Sequence, residues 1–130
     1  MPIAWKWVAE TAILAAHAEQ LAEHGGLAGV RDIGLLRSAL ARPMNLEGYG
    51  TPDAADLAAA YAFGMAGNHP FIDGNKRAAL VAAEGFLFMN GFEVEATDAQ
   101  MVELIYSLAA GDVSESAVAE WLRQRLIGVN

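Results

Sequence analysis

Nine consecutive residues of this 130-residue chain, HPFIDGNKR at positions 69–77, carry the side-chain types that a phosphate-transfer site requires. The imidazole of His69 suits general-base catalysis near neutral pH. The carboxylate of Asp73 can hold a Mg²⁺ ion beside a phosphate group. Lys76 and Arg77 add two cations that can neutralise phosphate oxygens. Because each of these residues alone is common in turns or on surfaces, it is their spacing that predicts the site.

The flanking segments predict that these nine residues form a loop that enters a helix. Upstream, Asp56–Ala66 is strongly apolar and predicts a buried helix. Downstream, Arg77–Asn90 predicts a second apolar helix that Gly91 closes. The first backbone N–H groups of a helix lack partners and carry partial positive charge, so that they can bind an anion. Gly74 would allow a phosphate to approach the backbone, and Asn75 can donate or accept a hydrogen bond.

The motif resembles the signature of the Fic/Doc family, His-x-Phe-x-Asp/Glu-Gly-Asn-Gly/Lys-x-x-Arg. The residues that match its general form are His69, Pro70, Phe71, Asp73, Gly74 and Asn75. Lys76 stands where most adenylylating members have a second glycine, and Leu80 stands where they have the later arginine. Lys76-Arg77 followed by an Ala-Leu helix resembles the Doc (death-on-curing) branch instead. Residues 25–32 and 36–43 also resemble that branch, so the likeness covers nearly the whole chain.

This resemblance implies both a fold and a set of site residues. The expected fold is all-α, a compact Fic/Doc-type helical bundle with the motif loop between two central helices and at most a minor two-stranded element. His69 would be the catalytic base, ATP the substrate, and Asp73 the ligand of Mg²⁺. The residues that would bind the nucleotide phosphates are Phe71, Gly74, Asn75, Lys76 and Arg77.

The resemblance also implies a function. In the Doc-like branch the nucleotide is taken to bind reversed, so that its γ-phosphate meets the nucleophile. The expected protein is the toxin of a type II toxin-antitoxin system, a protein kinase that phosphorylates a Ser or Thr hydroxyl of elongation factor Tu and arrests translation. Two alternatives stay open: a Fic-type adenylyltransferase, which transfers AMP, and a noncatalytic Fic-fold binding module.

Control of such an enzyme is expected to come from a separate, Phd-like antitoxin chain. Self-inhibited Fic proteins carry a Ser/Thr-x-x-x-Glu-Gly/Asn helix. The nearest pattern here is Ser116–Glu120, but Trp121 follows where Gly or Asn is expected. The arginine that the glutamate would engage is also replaced, by Leu80. An antitoxin segment that folds on binding would need an apolar surface on the toxin.

Bulk properties predict one soluble domain over residues 1–130, without repeats or linkers. With 55% hydrophobic residues and a mean hydropathy of +0.26, disorder is not expected. The net charge of −8 and pI of about 4.7 argue against direct nucleic-acid binding, which needs cations facing phosphates. The sequence shows neither an apolar span of ~18 residues nor a signal-like start, so a cytoplasmic location without membrane contact is expected. The chain has no cysteine, which excludes disulfides and thiolate chemistry.

The remaining elements are predicted from apolar periodicity and capping residues. Further helices are expected over Thr11–His24, from Asp32 to Ala41 before Pro43, from a capping box at Thr97, and from about Ser114 to Ile127; short strands are expected over Ile3–Val8 and Phe92–Val94. Residues 44–52 contain two glycines and predict an exposed loop, either a mobile flap that pairs with target backbone or an ordinary connector. Thr51-Pro52 would then start the helix that precedes the motif.

Two further residues allow only broad interpretations. His17 shares a helix face with His24, seven residues on; both are interpreted as structural or surface histidines, and His17 has the option of packing near the wall of the site. Glu84 follows Arg77 by seven residues and either orients that guanidinium or faces solvent.

Overall fold

Residues 4–129, the part of the chain that the computed structural model describes, form six α-helices and one two-stranded sheet. The helices are α1 Glu10–His24, α2 Ile33–Tyr49, α3 Ala54–Asn68, α4 Asn75–Met89, α5 Asp98–Ala109 and α6 Glu115–Arg123; the strands are β1 Phe92–Val94 and β2 Leu126–Gly128. The all-α class with a minor two-stranded element is therefore confirmed. Among the described residues, no helix combines the length and apolarity needed to cross a membrane.

The central helix of the fold is α3. It is apolar on all sides, as expected for a helix surrounded by others, and Leu57, Tyr61 and Met65 are fully buried. It packs against α2, α4, α5 and α6. The motif loop joins α3 to α4, so the prediction of a loop between two central helices is confirmed. The site therefore rests on the two helices that form most of the core.

The strand predicted over Ile3–Val8 is not formed by the described part of that segment, and Ile3 itself lies outside the described residues. Side chains rather than a neighbouring strand hold this backbone. The Asn90 amide donates to the carbonyl of Lys6 and accepts from its N–H, both at 2.9 Å. The N–H of Val8 donates to the Tyr61 hydroxyl at 3.0 Å. The alternating tryptophans both face Phe86, at ring-centroid distances of 5.8 Å for Trp5 and 5.9 Å for Trp7.

The predicted end of α2 before Pro43 is wrong, because the helix continues through the proline to Tyr49. Proline removes the hydrogen bond to the carbonyl four residues earlier, that of Ala39. At this place α2 meets α3 very closely: a Cβ on Gly64 would lie 3.1 Å from Ala39 Cα and 3.2 Å from its oxygen. The Pro43 ring is also fully buried. Close packing and burial compensate for the lost hydrogen bond and keep the helix intact.

The extension of α2 also corrects the prediction for residues 44–52. Residues 44–49 are helical, so the exposed loop shrinks to a short connection and no nine-residue flap exists there. The next helix starts at Ala54 rather than at Thr51-Pro52. Asp53 is its N-cap and forms a capping box with Asp56, a stronger start signal than the threonine-proline pair.

The C-terminal helix is shorter than the predicted Ser114–Ile127. It is capped by Ser114 and ends at Arg123, and the chain then returns as β2, antiparallel to β1. Arg123 joins the end of α6 to the start of α3, because its guanidinium pairs with Asp53 and Asp56 as well as with Glu120. The hydrogen bonds from Arg123 lower the pKa of Asp53. Glu120, the glutamate of the nearest inhibitory pattern, is thus engaged in an ion-pair network within the fold.

Three predicted elements match the structure closely. The Thr11–His24 helix corresponds to α1, which begins one residue earlier. The strand over Phe92–Val94 is confirmed. The capping box at Thr97 is present, with Gln100 as its partner, and opens α5. In each case the local signal agrees with the tertiary contacts.

Glu84 on α4 provides a test of buried charge. Its side chain is half-buried beside Asp98, and burial followed by the nearby Asp98 carboxylate raises the pKa of Glu84 above 4.5. The charged form therefore destabilises the folded state at neutral pH, and this cost vanishes when the group is protonated. We expect Glu84→Gln to raise the free energy of unfolding at pH 7 by about 0.5 to 1 kcal/mol.

The gain should shrink as the pH falls through the raised pKa of Glu84 and vanish well below pH 4.5, where the group is protonated in both the folded and the unfolded state. Denaturant unfolding at several pH values measures it. Glu47→Gln, which changes an exposed carboxylate on α2, is the matched control and should change stability little at any of these pH values. A gain for Glu84→Gln that persists unchanged at pH 3.5 would show that its origin is not charge burial.

Candidate active site

His69 lies at the C-terminal end of α3 with its backbone in the left-handed region. Its φ is 49° and its ψ is 56°, and within residues 4–129 it is the one non-glycine residue with positive φ. A residue with a Cβ adopts this conformation at a cost, and such strain concentrates at functional sites. The residue is exposed, so its imidazole is accessible to a substrate. The sequence predicted that His69 lies in the motif loop but not that its backbone is left-handed.

A second segment, residues 29–32, runs antiparallel to the motif loop and fastens it. The N–H groups of Arg31 and Asp32 both donate to the carbonyl of Pro70, at 2.8 and 3.1 Å, and the N–H of Ile72 donates to the carbonyl of Gly29 at 3.1 Å. Sequence reasoning missed this pairing. The only available signal was the cluster of glycines that leads into the segment, together with its likeness to the family.

Phe71 anchors the middle of the loop in the core. Its ring is 1% exposed and lies parallel to the His17 ring of α1, at a centroid distance of 3.7 Å and an interplanar angle of 9°. His17 Nε2 lies 2.7 Å from the carbonyl oxygen of Asp73. Because a carbonyl only accepts, Nε2 carries the hydrogen and donates it. The structure thus places His17 against the motif loop, as the interpretation of a structural histidine near the site wall required, and gives it a positioning role.

Gly74 makes the turn from the loop into α4 with φ at 78°. A Cβ at this position would lie 3.3 Å from both His17 Nε2 and Leu21 Cδ2. The space that glycine leaves free is therefore filled by α1. Glycine is required here by its positive φ and by the closeness of this helix.

The side chain of Asn75 closes the loop on itself. Its Oδ1 accepts from the N–H of Phe71 at 2.9 Å, and its Nδ2 donates to the carbonyl of Phe71 at 3.0 Å. This pair of bonds holds the buried anchor of the loop to the first turn of α4. Asn75 therefore positions the loop. Only the second hydrogen of its amide is left for a phosphate oxygen.

The N-terminus of α4 offers donors and cations to an anion. In the described chain its N-cap, Gly74, supplies no side-chain hydrogen bond to the first turn. Lys76 and Arg77 form no ion pair with a carboxylate of residues 4–129, whereas Arg37, Arg42 and Arg123 do. The ammonium of Lys76 lies 4.7 Å from the centre of the Tyr106 ring on α5. In a protein of net charge −8, this is a local positive site.

Asp73 is the carboxylate that such a site would use for a metal ion. It is exposed, with Oδ1 accepting from the N–H of Gly74 at 2.8 Å and Oδ2 accepting from that of Leu27 at 3.3 Å. Within residues 4–129 no group of three or more metal-binding side chains occurs. Mg²⁺ bound to a nucleotide needs only one or two protein carboxylates, because phosphate and water supply its other ligands. One fixed, exposed carboxylate on the loop that leads into Lys76 and Arg77 fits that mode.

The structure brings His69, Asp73, Lys76 and Arg77 onto one loop and the first turn of one helix. Glu84 lies elsewhere: it borders a cleft with Asp98, Phe92 and Met101. His24 lies at the exposed end of α1, near Glu23. The arrangement can accept a proton at His69 and bind phosphate oxygens at the first turn of α4, where Lys76 and Arg77 follow His69 by seven and eight residues.

Comparison with known proteins finds relatives that match most of this chain. The Fic/DOC family model matches residues 7–87, which include α1, α2, α3, the motif loop and most of α4. The chain is 34% identical to the protein kinase doc of Escherichia phage P1, over 89% of this chain and 91% of that protein. It is 45% identical to the toxin Doc of Mycolicibacterium smegmatis, over 55% of this chain and 57% of that protein.

Proposed function

This chain belongs to the Fic/Doc family, in its Doc branch, and we propose that it is a toxin that transfers the γ-phosphate of ATP to a Ser or Thr hydroxyl of a translation factor. One observation carries the proposal. An exposed His69 and the N-terminus of α4 occur in the same motif, and among the described residues Lys76 and Arg77 of that helix have no carboxylate partner. Elongation factor Tu is the target that the resemblance implies, and the cytoplasm is the corresponding location.

The reaction needs one proton transfer and one displacement. The imidazole of His69 takes the proton of the target hydroxyl. The hydroxyl oxygen forms a bond to the γ-phosphorus, the bond from that phosphorus to the β,γ-bridging oxygen breaks, and ADP leaves. Phosphoryl transfer depends mainly on positioning and on electrostatic stabilisation, so a small set of residues is sufficient.

The remaining motif residues bind and orient the nucleotide. The first N–H groups of α4, with Lys76 and Arg77, would bind the phosphate oxygens and offset their charge. Asp73 would hold Mg²⁺, which when bound supplies further positive charge to the phosphates. Phe71, Gly74 and Asn75 would contribute indirectly, because they hold the loop against α1 and the first turn of α4.

Two positions favour phosphate transfer over AMP transfer. Lys76 replaces the second glycine of the adenylylating motif and adds a cation to the first turn of α4. Leu80 replaces the later arginine, and its side chain packs against the hydrophobic core instead of presenting a charge. The phosphates would thus be held at the N-terminal end of α4, next to the loop that carries His69. This position suits a nucleotide whose γ-phosphate faces the base.

Regulation by a separate antitoxin is part of the proposal. Glu120, the glutamate of the nearest inhibitory pattern, pairs with Arg123 in the fold. Exposed apolar side chains near the motif, among them Leu27, Val30, Ile33 and Ile72, offer surface to a Phd-like segment that folds on binding. We expect expression of this chain alone to arrest growth and coexpression of a cognate antitoxin to restore it.

Intact-mass analysis of elongation factor Tu after incubation with this protein, ATP and Mg²⁺ tests the reaction. Added phosphate supports the proposal. Added AMP would show that the protein is an adenylyltransferase instead. An unmodified target, with the protein shown to be folded, would leave the noncatalytic binding module as the remaining interpretation. Heat-treated protein is the control. Harmless overexpression of the folded protein without any partner would argue against the toxin assignment.

A further inference from the structure

The side chain of Arg31 is bonded to the backbone that carries His69. Its Nε donates to the carbonyl oxygen of His69 at 2.7 Å, and its Nη2 donates to that of Asn68 at 2.9 Å. These carbonyls stand at the C-terminal end of α3, where helix carbonyls lack intrahelical partners and the dipole favours a cation. With its own N–H on the carbonyl of Pro70, Arg31 contacts three consecutive carbonyls.

The backbone that Arg31 holds is the strained one. His69 is left-handed with φ at 49°, a conformation that L-residues with a Cβ rarely adopt. Such a conformation persists only where the surroundings over-determine it. The guanidinium bonds fix the two carbonyls that bracket the φ and ψ of His69, and the N–H groups of residues 31–32 fix the next carbonyl. A shift of His69 to an ordinary backbone conformation would break these bonds.

Arg31 differs in its partners from the arginines that form ion pairs, Arg37, Arg42 and Arg123. The chain has 16 carboxylate residues and only 8 Lys and Arg. Arg37, six residues further along, forms an ordinary surface pair with Glu10 at 2.8 Å. Arg31 is also exposed, yet within residues 4–129 it pairs with no carboxylate, and its side chain bonds to two carbonyls at the end of α3. A planar fork of donors suits such a double contact, and lysine cannot reproduce it.

We propose that Arg31 is a positioning residue for the transfer reaction, which holds His69 in the left-handed conformation that aims its imidazole at the target hydroxyl. The proposal rests on the proposed function, in which His69 is the base. Arg31 acts through His69 and contacts no reacting atom. Its loss should therefore affect the rate of transfer rather than the binding of nucleotide, which depends on the first turn of α4.

The kinetic test compares Arg31→Met, Arg31→Lys and the matched control Arg37→Met. We expect Arg31→Met to lower kcat about 10- to 100-fold, the effect of a small misplacement of a catalytic group. The KM for ATP should stay close to that of the parent. Arg31→Lys should recover part of the rate, because an ammonium can donate to one carbonyl, and Arg37→Met should match the parent. A kcat of Arg31→Met equal to that of the parent overturns the proposal.

A second measurement does not depend on activity. Scalar couplings and nuclear Overhauser effects report the sign of φ at His69 in the nucleotide-free protein. We expect a positive φ in the parent and in Arg37→Met, and a loss of the left-handed population in Arg31→Met; an unchanged φ there overturns the proposal. If Arg31→Met does not fold, Arg31→Lys decides by the same readouts. If the parent protein transfers no group, the proposed function is wrong, but the sign of φ at His69 still tests whether Arg31 holds that backbone.

Discussion

Replacing His69 with alanine should abolish phosphate transfer and toxicity while the protein stays folded. General-base catalysis contributes about 100- to 10,000-fold in rate, and residue 69 is the one motif side chain suited to take a proton near neutral pH. Its exposure means that the substitution removes little core packing. Incorporation of phosphate into elongation factor Tu, with circular dichroism of the variant, measures both effects.

The left-handed backbone of His69 calls for a second variant. Asparagine tolerates this conformation better than most residues but is no base near neutral pH. His69→Asn should therefore be as inactive as His69→Ala while it keeps the loop geometry. His24→Ala removes an exposed histidine at the end of α1 and should retain full activity. A folded His69→Asn protein that transfers phosphate at the parent rate would show that the base is another group.

The parts of the fold that the sequence predicted are those in which local signals and tertiary contacts agree. The helices on either side of the motif are apolar around much of their circumference, so they had to be central. Thr97 and Ser114 cap helices where they were expected to. The motif loop was predicted because its polar residues interrupt two apolar segments. None of these inferences required knowledge of a distant partner.

The predictions of helix ends and strands were wrong where a residue far away in the sequence determines the local structure. Pro43 normally ends a helix, but the contact between Ala39 and Gly64 keeps α2 intact, and no local pattern reports that contact. A strand was predicted over Ile3–Val8, but the Asn90 amide, rather than a neighbouring strand, bonds the backbone at Lys6. The length of α6 was overestimated because Ile127 continues its apolar pattern while pairing with β1 instead.

The same distinction applies to the site. Residue types and spacing predicted the motif, but not how it is held in place. Asn75 was predicted as a phosphate ligand, and its amide is mostly occupied by the backbone of Phe71. The contacts of His17 and Arg31 with the loop join residues 56 and 38 positions apart. Such long-range contacts are determined by the packing of α1 and of residues 29–32, which a single sequence does not encode locally.

Replacing both Lys76 and Arg77 with alanine should weaken ATP binding more than any other change at the site. A hydrogen bond to a charged group contributes about 1.5 to 3 kcal/mol, so two lost phosphate contacts correspond to an affinity loss of at least about 100-fold. Alanine is favourable in a helix, so α4 should persist. Calorimetric titration of ATP with Mg²⁺ measures the loss. Arg125→Ala is the control, because its guanidinium lies over the Trp121 ring, 4.0 Å from its centre.

The single variant Lys76→Gly separates the two roles that this lysine is assigned. It removes the ammonium that lies over the Tyr106 ring and restores the small residue of the adenylylating motif. Phosphate transfer should fall, because a cation is lost from the first turn of α4. If the lysine also determines which phosphorus faces His69, the modified target should acquire some AMP, which intact mass distinguishes from phosphate. Unchanged ATP affinity in Lys76→Gly and in the double variant would exclude both cations from the nucleotide site and would remove the electrostatic basis of the proposed function.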